Sequence, residues 1–345
     1  MSARWDGEEA LLQPITPEQP CGDNLEDTEL LASFDSYRLF GRPRSLDAPP
    51  DPEDKTAPPP PDWGAIRTKS IEALQKSKDL GVLAHLGAAL LRTDGLPAFA
   101  ATLHIASQWL QDYWPQVYPL IDEDAVRRCS ALNNFADRMA MIDRLRRTPL
   151  VNNRQHGRFS LRDLEIATRQ LQPAANDTPI DEKQINAAFD AMPLEELTLL
   201  HDSVAAAVAA VRAIEGTMRD AAGSEATPTF DPLSKELAKI HLTLRTRLTA
   251  RTAGAAAPAG DAAAEAGEGV PGVSISGVVK SRQDAIRALE AITAFYRQAE
   301  PSSPIPLLLE RAKRLVSKDF LEVLADIAPE ALGAARSAGG LKDSQ

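Results

Sequence analysis

Apolar positions along this chain recur at spacings of three and four residues, the pattern of helices that bury one face. After Asp62, a candidate N-cap, Trp63, Ile66, Ile71 and Leu74 fall within one helical arc. Val82, Leu83, Leu86 and Leu90 do the same in the next segment. A third helix is predicted through Leu96, Phe99, Leu103, Ala106 and Leu110, and a fourth through Val126, Leu132, Phe135, Met139 and Ile142. Ser160 and Asp163 form a capping box that opens a fifth, carried by Leu161, Leu164 and Leu171. Strict period-two alternation is hard to find, so an all-α fold is expected.

The middle region carries two longer stripes. Leu197, Leu200, Val204, Val208, Val211 and Met218 make the first. Asp231 and Pro232, a favoured start pair, open the second through Leu233, Leu237, Ile240, Leu244 and Leu248. Such helices pair naturally as a hairpin. Farther on, Ser281 and Asp284 predict a capping box for a helix with Ile286, Leu289, Ile292 and Tyr296 inward, and Ser303-Pro304 begins another.

Composition divides the chain. The stretch 47–62, DAPPDPEDKTAPPPPD, reads as an extended loop, and 253–272 is almost wholly Ala, Gly, Pro and acid. The expected organisation is a helical N-terminal domain (1–151), a middle helical region (152–252), a linker (253–276), a small helical C-terminal domain (277–335) and a tail (336–345). A C-terminal unit of about 60 residues is marginal alone, and oligomerisation is a common remedy.

Charge narrows the function classes. A formal charge of −11 argues against a general nucleic-acid binder. The longest uncharged stretch, 95–111, contains Pro97, His104 and Ser107, so no membrane insertion is expected. The N-terminal MSARWDGEEALL is acidic where a signal peptide would be basic and then apolar, and a cytoplasmic location follows as the expectation. Cys21 and Cys129 form no CxxC pair and read as reduced thiols.

Candidate chemistry is sparse. Gly267, Gly269 and Gly272 spell GxGxxG, but no strand precedes them and Pro271 interrupts them, so chance spelling in a Gly-rich linker is the better reading. His201 within its apolar stripe reads as a core or interface imidazole rather than a ligand or base. Asp122, Glu123 and Asp124 precede a predicted helix and suit its dipole better than a metal. No cofactor and no metal are expected. Between 120 and 172 stand 10 Arg against 7 acids. Arg144, Arg146, Arg147, Arg154 and Arg158 within that stretch read as a solvated face or as a candidate docking surface for an acidic partner. Residues 1–61, with 13 acids against 5 bases, are a complementary segment within or between subunits. A hydrolase or metal enzyme in the middle region stays as an alternative of another class.

Two stretches carry a family resemblance. Residues 12–25, LQPITPEQPCGDNL, with Pro20, Cys21, Gly22 and Leu25, are followed by Asp62-Trp63, the SKDL of 77–80, ALLRTDGLPAF and Tyr113-Trp114-Pro115. Together they resemble the N-terminal domain of the TssA (ImpA) family of type VI secretion proteins. The second stretch, SRQDAIRALEAITAFYRQAEPSSPIPLLLERAKRL, is similar to that family's C-terminal region in its aromatic pair Phe295-Tyr296, Glu300-Pro301, Ser303-Pro304 and Leu308-Leu309-Glu310-Arg311-Ala312. Ser302 stands where many relatives have His, and Lys313-Arg314-Leu315 lacks the Trp that many show.

The resemblance implies a non-enzymatic cytoplasmic component that forms a ring through its C-terminal domain. It would help assemble the baseplate, or start and guide polymerisation of tail tube and sheath. Self-association and contact with baseplate, tube and sheath proteins are the implied partnerships, with neither nucleic acid nor membrane insertion. Phe295, Tyr296, Leu307 and Leu308, with Pro301, Pro304 and Arg311 at the turn and rim, are either monomer core or ring interface. Pro20-Cys21-Gly22 reads as a tight turn with Cys21 a buried plug, or as a partner contact. An adaptor that binds one tail component without forming a ring is the alternative.

Overall fold

The computed structural model describes residues 5–47, 60–121, 125–173, 180–255, 282–299 and 305–316. Most of the described chain is helical. Contacts divide it into two compact units, Met1–Ala259 and Gly260–Gln345.

The first unit opens with α1 (Glu8–Leu12) and α2 (Glu29–Asp35), then α3 (Trp63–Leu74), α4 (Leu80–Thr93) and α5 (Leu96–Asp112). Asp62 caps α3 as its sequence predicts, accepting from the Ala65 N–H at 3.0 Å, and Asp79 caps α4 through Val82 N–H at 2.9 Å. Helix α4 is buried on nearly all sides, because Leu80, Val82 to Leu86 and Ala88 to Leu91 fit among α3, α5 and α6 (Val126–Asn133). Gly95, at φ +88°, turns the chain before Pro97 enters the first turn of α5.

The predicted fourth helix is broken. After α6 and a short 3₁₀ turn, Asp137 adopts an extended ψ of 130°, and its Oδ1 accepts from Met139 N–H and Ala140 N–H at 3.0 and 2.7 Å. That cap starts a separate π turn, Arg138–Ile142, which runs into α7 (Asp143–Arg147). Periodicity carries across the break because Phe135, Met141 and Ile142 all enter the core.

A β-hairpin follows, without period-two alternation in its sequence. Strand β1 (Pro149–Asn153) pairs antiparallel with β2 (Gly157–Ser160), with Val151 opposite Phe159 and Asn152 opposite Arg158. The strands are too short for a period to emerge, and Leu150, Val151 and Phe159 hold them by burial. Ser160 and Asp163 then form both halves of the predicted capping box of α8 (Leu161–Ala167). That helix ends before Leu171, which the sequence pattern had included.

The unit closes with α9 (Glu182–Asp190) and two long helices, α10 (Leu194–Ala222) and α11 (Asp231–Ala255). They form the expected hairpin, turned at Gly223 (φ +88°). By length and composition α10 is apolar enough to cross a membrane, although Asp202 and Arg212 interrupt its run of uncharged residues. Here Leu197, Leu200, Val204, Val211, Ile214 and Met218 are buried, and α10 packs on α5 and α11.

The second unit contains α12 (Arg282–Ala299) and α13 (Ile305–Val316), which pack on each other. Ion pairs Arg297–Glu310 at 3.3 Å and Lys313–Glu290 at 2.5 Å link them. The predicted caps at Ser281 and Ser303-Pro304, the acids 122–124, the Pro-rich stretch from 48 to 59, the GxGxxG spelling and the tail 336–345 lie outside the described residues.

Candidate functional site

The segments that carry the N-terminal resemblance, far apart in sequence, are sewn together through their backbones. Lys78 N–H donates to Cys21 C=O at 2.9 Å, and Asp23 N–H to Lys76 C=O at 2.9 Å. On its other side the same stretch meets the Tyr113-Trp114-Pro115 region: Leu80 N–H donates to Tyr118 C=O at 2.9 Å and Tyr118 N–H to Lys78 C=O at 3.0 Å. Tyr118 Oη closes the circle by donating to Gly22 C=O at 3.1 Å. Gly22 sits at φ +69°, and a Cβ there would lie 2.1 Å from Lys76 C=O, so only glycine fits the turn.

Two buried cations lock this junction. Lys78, 1% exposed, donates from Nζ to Leu11 C=O at 2.6 Å and Gln13 C=O at 2.8 Å, with the Trp109 ring centroid 4.8 Å away. Burial pushes its ammonium down to about 8. Arg128, 0% exposed, donates to Pro119 C=O at 3.0 Å, Trp114 C=O at 2.8 Å and Val117 C=O, and its guanidinium lies over the Trp114 ring. Burial lowers it to about 10. Cys21, beside both cations, is buried, and desolvation outweighs their pull and raises its thiol to about 11. Leu25 is buried, while Pro20 and Trp114 are partly exposed.

Neither cation announces itself in the sequence. Lys78 stands in the SKDL quoted above, and Arg128 reads as one more basic residue, because their partners are carbonyls distant in the chain. Beside Lys78 lies a cavity of ≈ 290 Å³ lined by Trp5, Leu11, Pro14, Ile15 and Ile71 among others.

Trp63 stacks under Arg92, whose guanidinium carbon is 3.9 Å from the ring centroid. Arg92 also binds Asp47 at 2.8 Å and Ala140 C=O at 2.9 Å, tying the N-terminal segment to α4 and the π turn. Asp47 reaches Arg144 too, at 3.6 Å, which ties the acidic segment to the basic cluster.

Within that cluster the structure separates two groups. Arg146 pairs with Glu165 and lies 3.5 Å from Glu236, and Arg147 pairs with Asp143 at 3.1 Å. Glu165 also takes Lys239 at 3.0 Å, so its carboxyl is held below its ordinary range despite burial. Arg144, Arg146 and Arg147 thus act within the fold. Arg154 and Arg158 are exposed on the β-hairpin.

The imidazoles of His201 and His241 face each other across α10 and α11, with centroids 4.9 Å apart. His201 Nδ1 shares a 2.9 Å hydrogen bond with Asp202 Oδ1. Among the described residues no group of three His, Cys, Asp or Glu side chains stands together to hold a metal.

In the second unit Leu307 and Leu308 are exposed by 76% and 64%, and Ile292 is exposed as well. Tyr296 is half-buried and Arg311 exposed. Pro301, Pro304 and the Phe295 side chain lie outside the described residues.

Residues 12–144 match the family described as ImpA, N-terminal, type VI secretion system. Over 342 residues the chain is 30% identical to the type VI secretion system component TssA1 of Pseudomonas aeruginosa, covering 93% of this chain and 95% of that protein. A solved structure of the N-terminal domain of the TssA component from Burkholderia cenocepacia, including its conserved ImpA_N region, shares the fold. Its TM-score is 0.52 at 23% identity, covering 73% of this chain and 96% of that one.

Proposed function

The chain belongs to the TssA family of type VI secretion components, and from that membership we propose that it is a non-enzymatic cytoplasmic assembly protein whose copies form a ring. On this reading residues 277–335 make the ring. The N-terminal domain (1–151) and the middle region (152–252) are tethered to it by the connector 253–276 and meet baseplate, tail-tube or sheath proteins. The work is positioning: tethered copies raise the local concentration of the components they hold.

The observation that carries the reading is the apolar face of α13. Leu307 and Leu308 are exposed on the two described helices of the second unit, and a second copy of the unit is the natural cover. The ion pairs between α12 and α13 keep that face presented. The N-terminal junction complements it, because a surface braced by buried Lys78 and Arg128 holds its shape when a partner docks.

The test is in the cell that uses the machine. A strain lacking the protein is expected to lose fluorescent sheath assemblies, which the native chain restores and Leu307→Asp/Leu308→Asp does not. Sheath assembly at native frequency without the protein, or with the double variant, would overturn the reading.

A further inference from the structure

The β-hairpin presents two exposed arginines close together with no carboxylate beside them in sequence. Arg92, Arg127, Arg144, Arg146 and Arg147 each meet a carboxylate. Arg154 and Arg158 make no ion pair among the described residues, and from Pro149 to Ser160 the sequence contains no acid.

The tip is also pre-shaped. Asn153 Oδ1 accepts from Gln155 N–H at 2.9 Å and His156 N–H at 3.1 Å, closing the turn that presents Arg154. Gly157, at φ +109°, supplies the left-handed residue, where a Cβ would come within 3.1 Å of the Phe159 ring. Arg158 is held opposite Asn152 by the strand register, and buried Leu150, Val151 and Phe159 anchor the strands below. Cations on a fixed backbone lose less freedom on binding than cations on a loose loop.

We propose that the hairpin tip is a docking point for a carboxylate-rich surface of another protein, with the guanidiniums of Arg154 and Arg158 each taking a side-chain carboxylate. The planar fork of arginine matches a carboxylate in two parallel hydrogen bonds. Polyphosphate suits the site poorly: nucleic-acid affinity grows from many phosphate contacts, and a strongly acidic chain opposes them. Phe159 of the hairpin is buried and offers no face for base stacking. The proposal deepens the reading of the chain as a positioning protein, and rests on it for its purpose, though not on ring formation.

The experiment uses the full chain and a fluorescent hexaglutamate peptide at low salt, read by anisotropy. Arg154→Glu/Arg158→Glu is expected to weaken binding by about tenfold or more, the scale of two charge-assisted contacts. Arg212→Glu/Arg219→Glu, an equal charge change at exposed positions of α10, is expected to leave it within about twofold. Equal losses in both variants, or none in the hairpin variant, would overturn the proposal. So would tighter binding of a single-stranded RNA of matched charge. The readout is peptide affinity and not particle mass, so failure of the ring reading leaves the result standing, and the reverse also holds.

Discussion

Arg128 offers three carbonyls of the 114–119 segment a single guanidinium. Arg128→Met keeps most of the volume but strands those carbonyls, and about 2 kcal/mol or more of stability is expected to go. Arg128→Lys is expected to rescue little, because one ammonium cannot span three acceptors held in a fork. Denaturant midpoints of the two variants check this. Gly22→Ala drives a Cβ toward Lys76 C=O at a positive φ, for an expected loss of about 1–3 kcal/mol in the same assay. Cys21 gives a prediction with a sign in pH. Its thiol is raised from 9.0 to about 11, so the folded state holds the proton that the unfolded state releases. Its contribution is fully present below pH 9.0 and is lost as pH rises toward about 11. Cys21→Ala is therefore expected to flatten the alkaline fall in stability. In the native protein Cys21 should resist thiol reagents at neutral pH until the chain unfolds, as alkylation followed by peptide mapping would report.

At the scale of elements, local signals were readable and long-range ones were not. Asp62 and the Ser160–Asp163 box announce their helices because a cap lies within a few residues of what it caps. The break at Asp137 was hidden, since an unbroken run of apolar positions continues on both sides of it. What decides it is a carboxylate that caps the π turn with Oδ1 and accepts from Gly41 N–H with Oδ2 at 2.7 Å. Asp137→Ala removes both roles, and a loss of about 1–2 kcal/mol is expected, with the loop around Gly41 exchanging its amide hydrogens faster. The β-hairpin escaped for a related reason: four or five residues per strand leave no period, and burial of Leu150 and Phe159 supplies what alternation would have shown. The signature segments were visible as text, yet their convergence on Lys78 and Arg128 depends on carbonyls at Leu11, Gln13 and Trp114 that no spacing rule connects.

At the scale of the whole molecule, the first unit is braced by buried cations, and the described helices of the second expose Leu307 and Leu308. Family membership was legible from two motif-bearing stretches, and it rests on similarity along nearly the whole chain. The ring is the central claim, and particle mass tests it most directly. Light scattering with negative-stain imaging of the full chain is expected to show a large closed ring. In Leu307→Asp/Leu308→Asp that ring is expected to fall to monomers with unchanged helical content, since both side chains are exposed in the single copy. A native chain that runs as a monomer, or a double variant that keeps the native mass, would contradict the account.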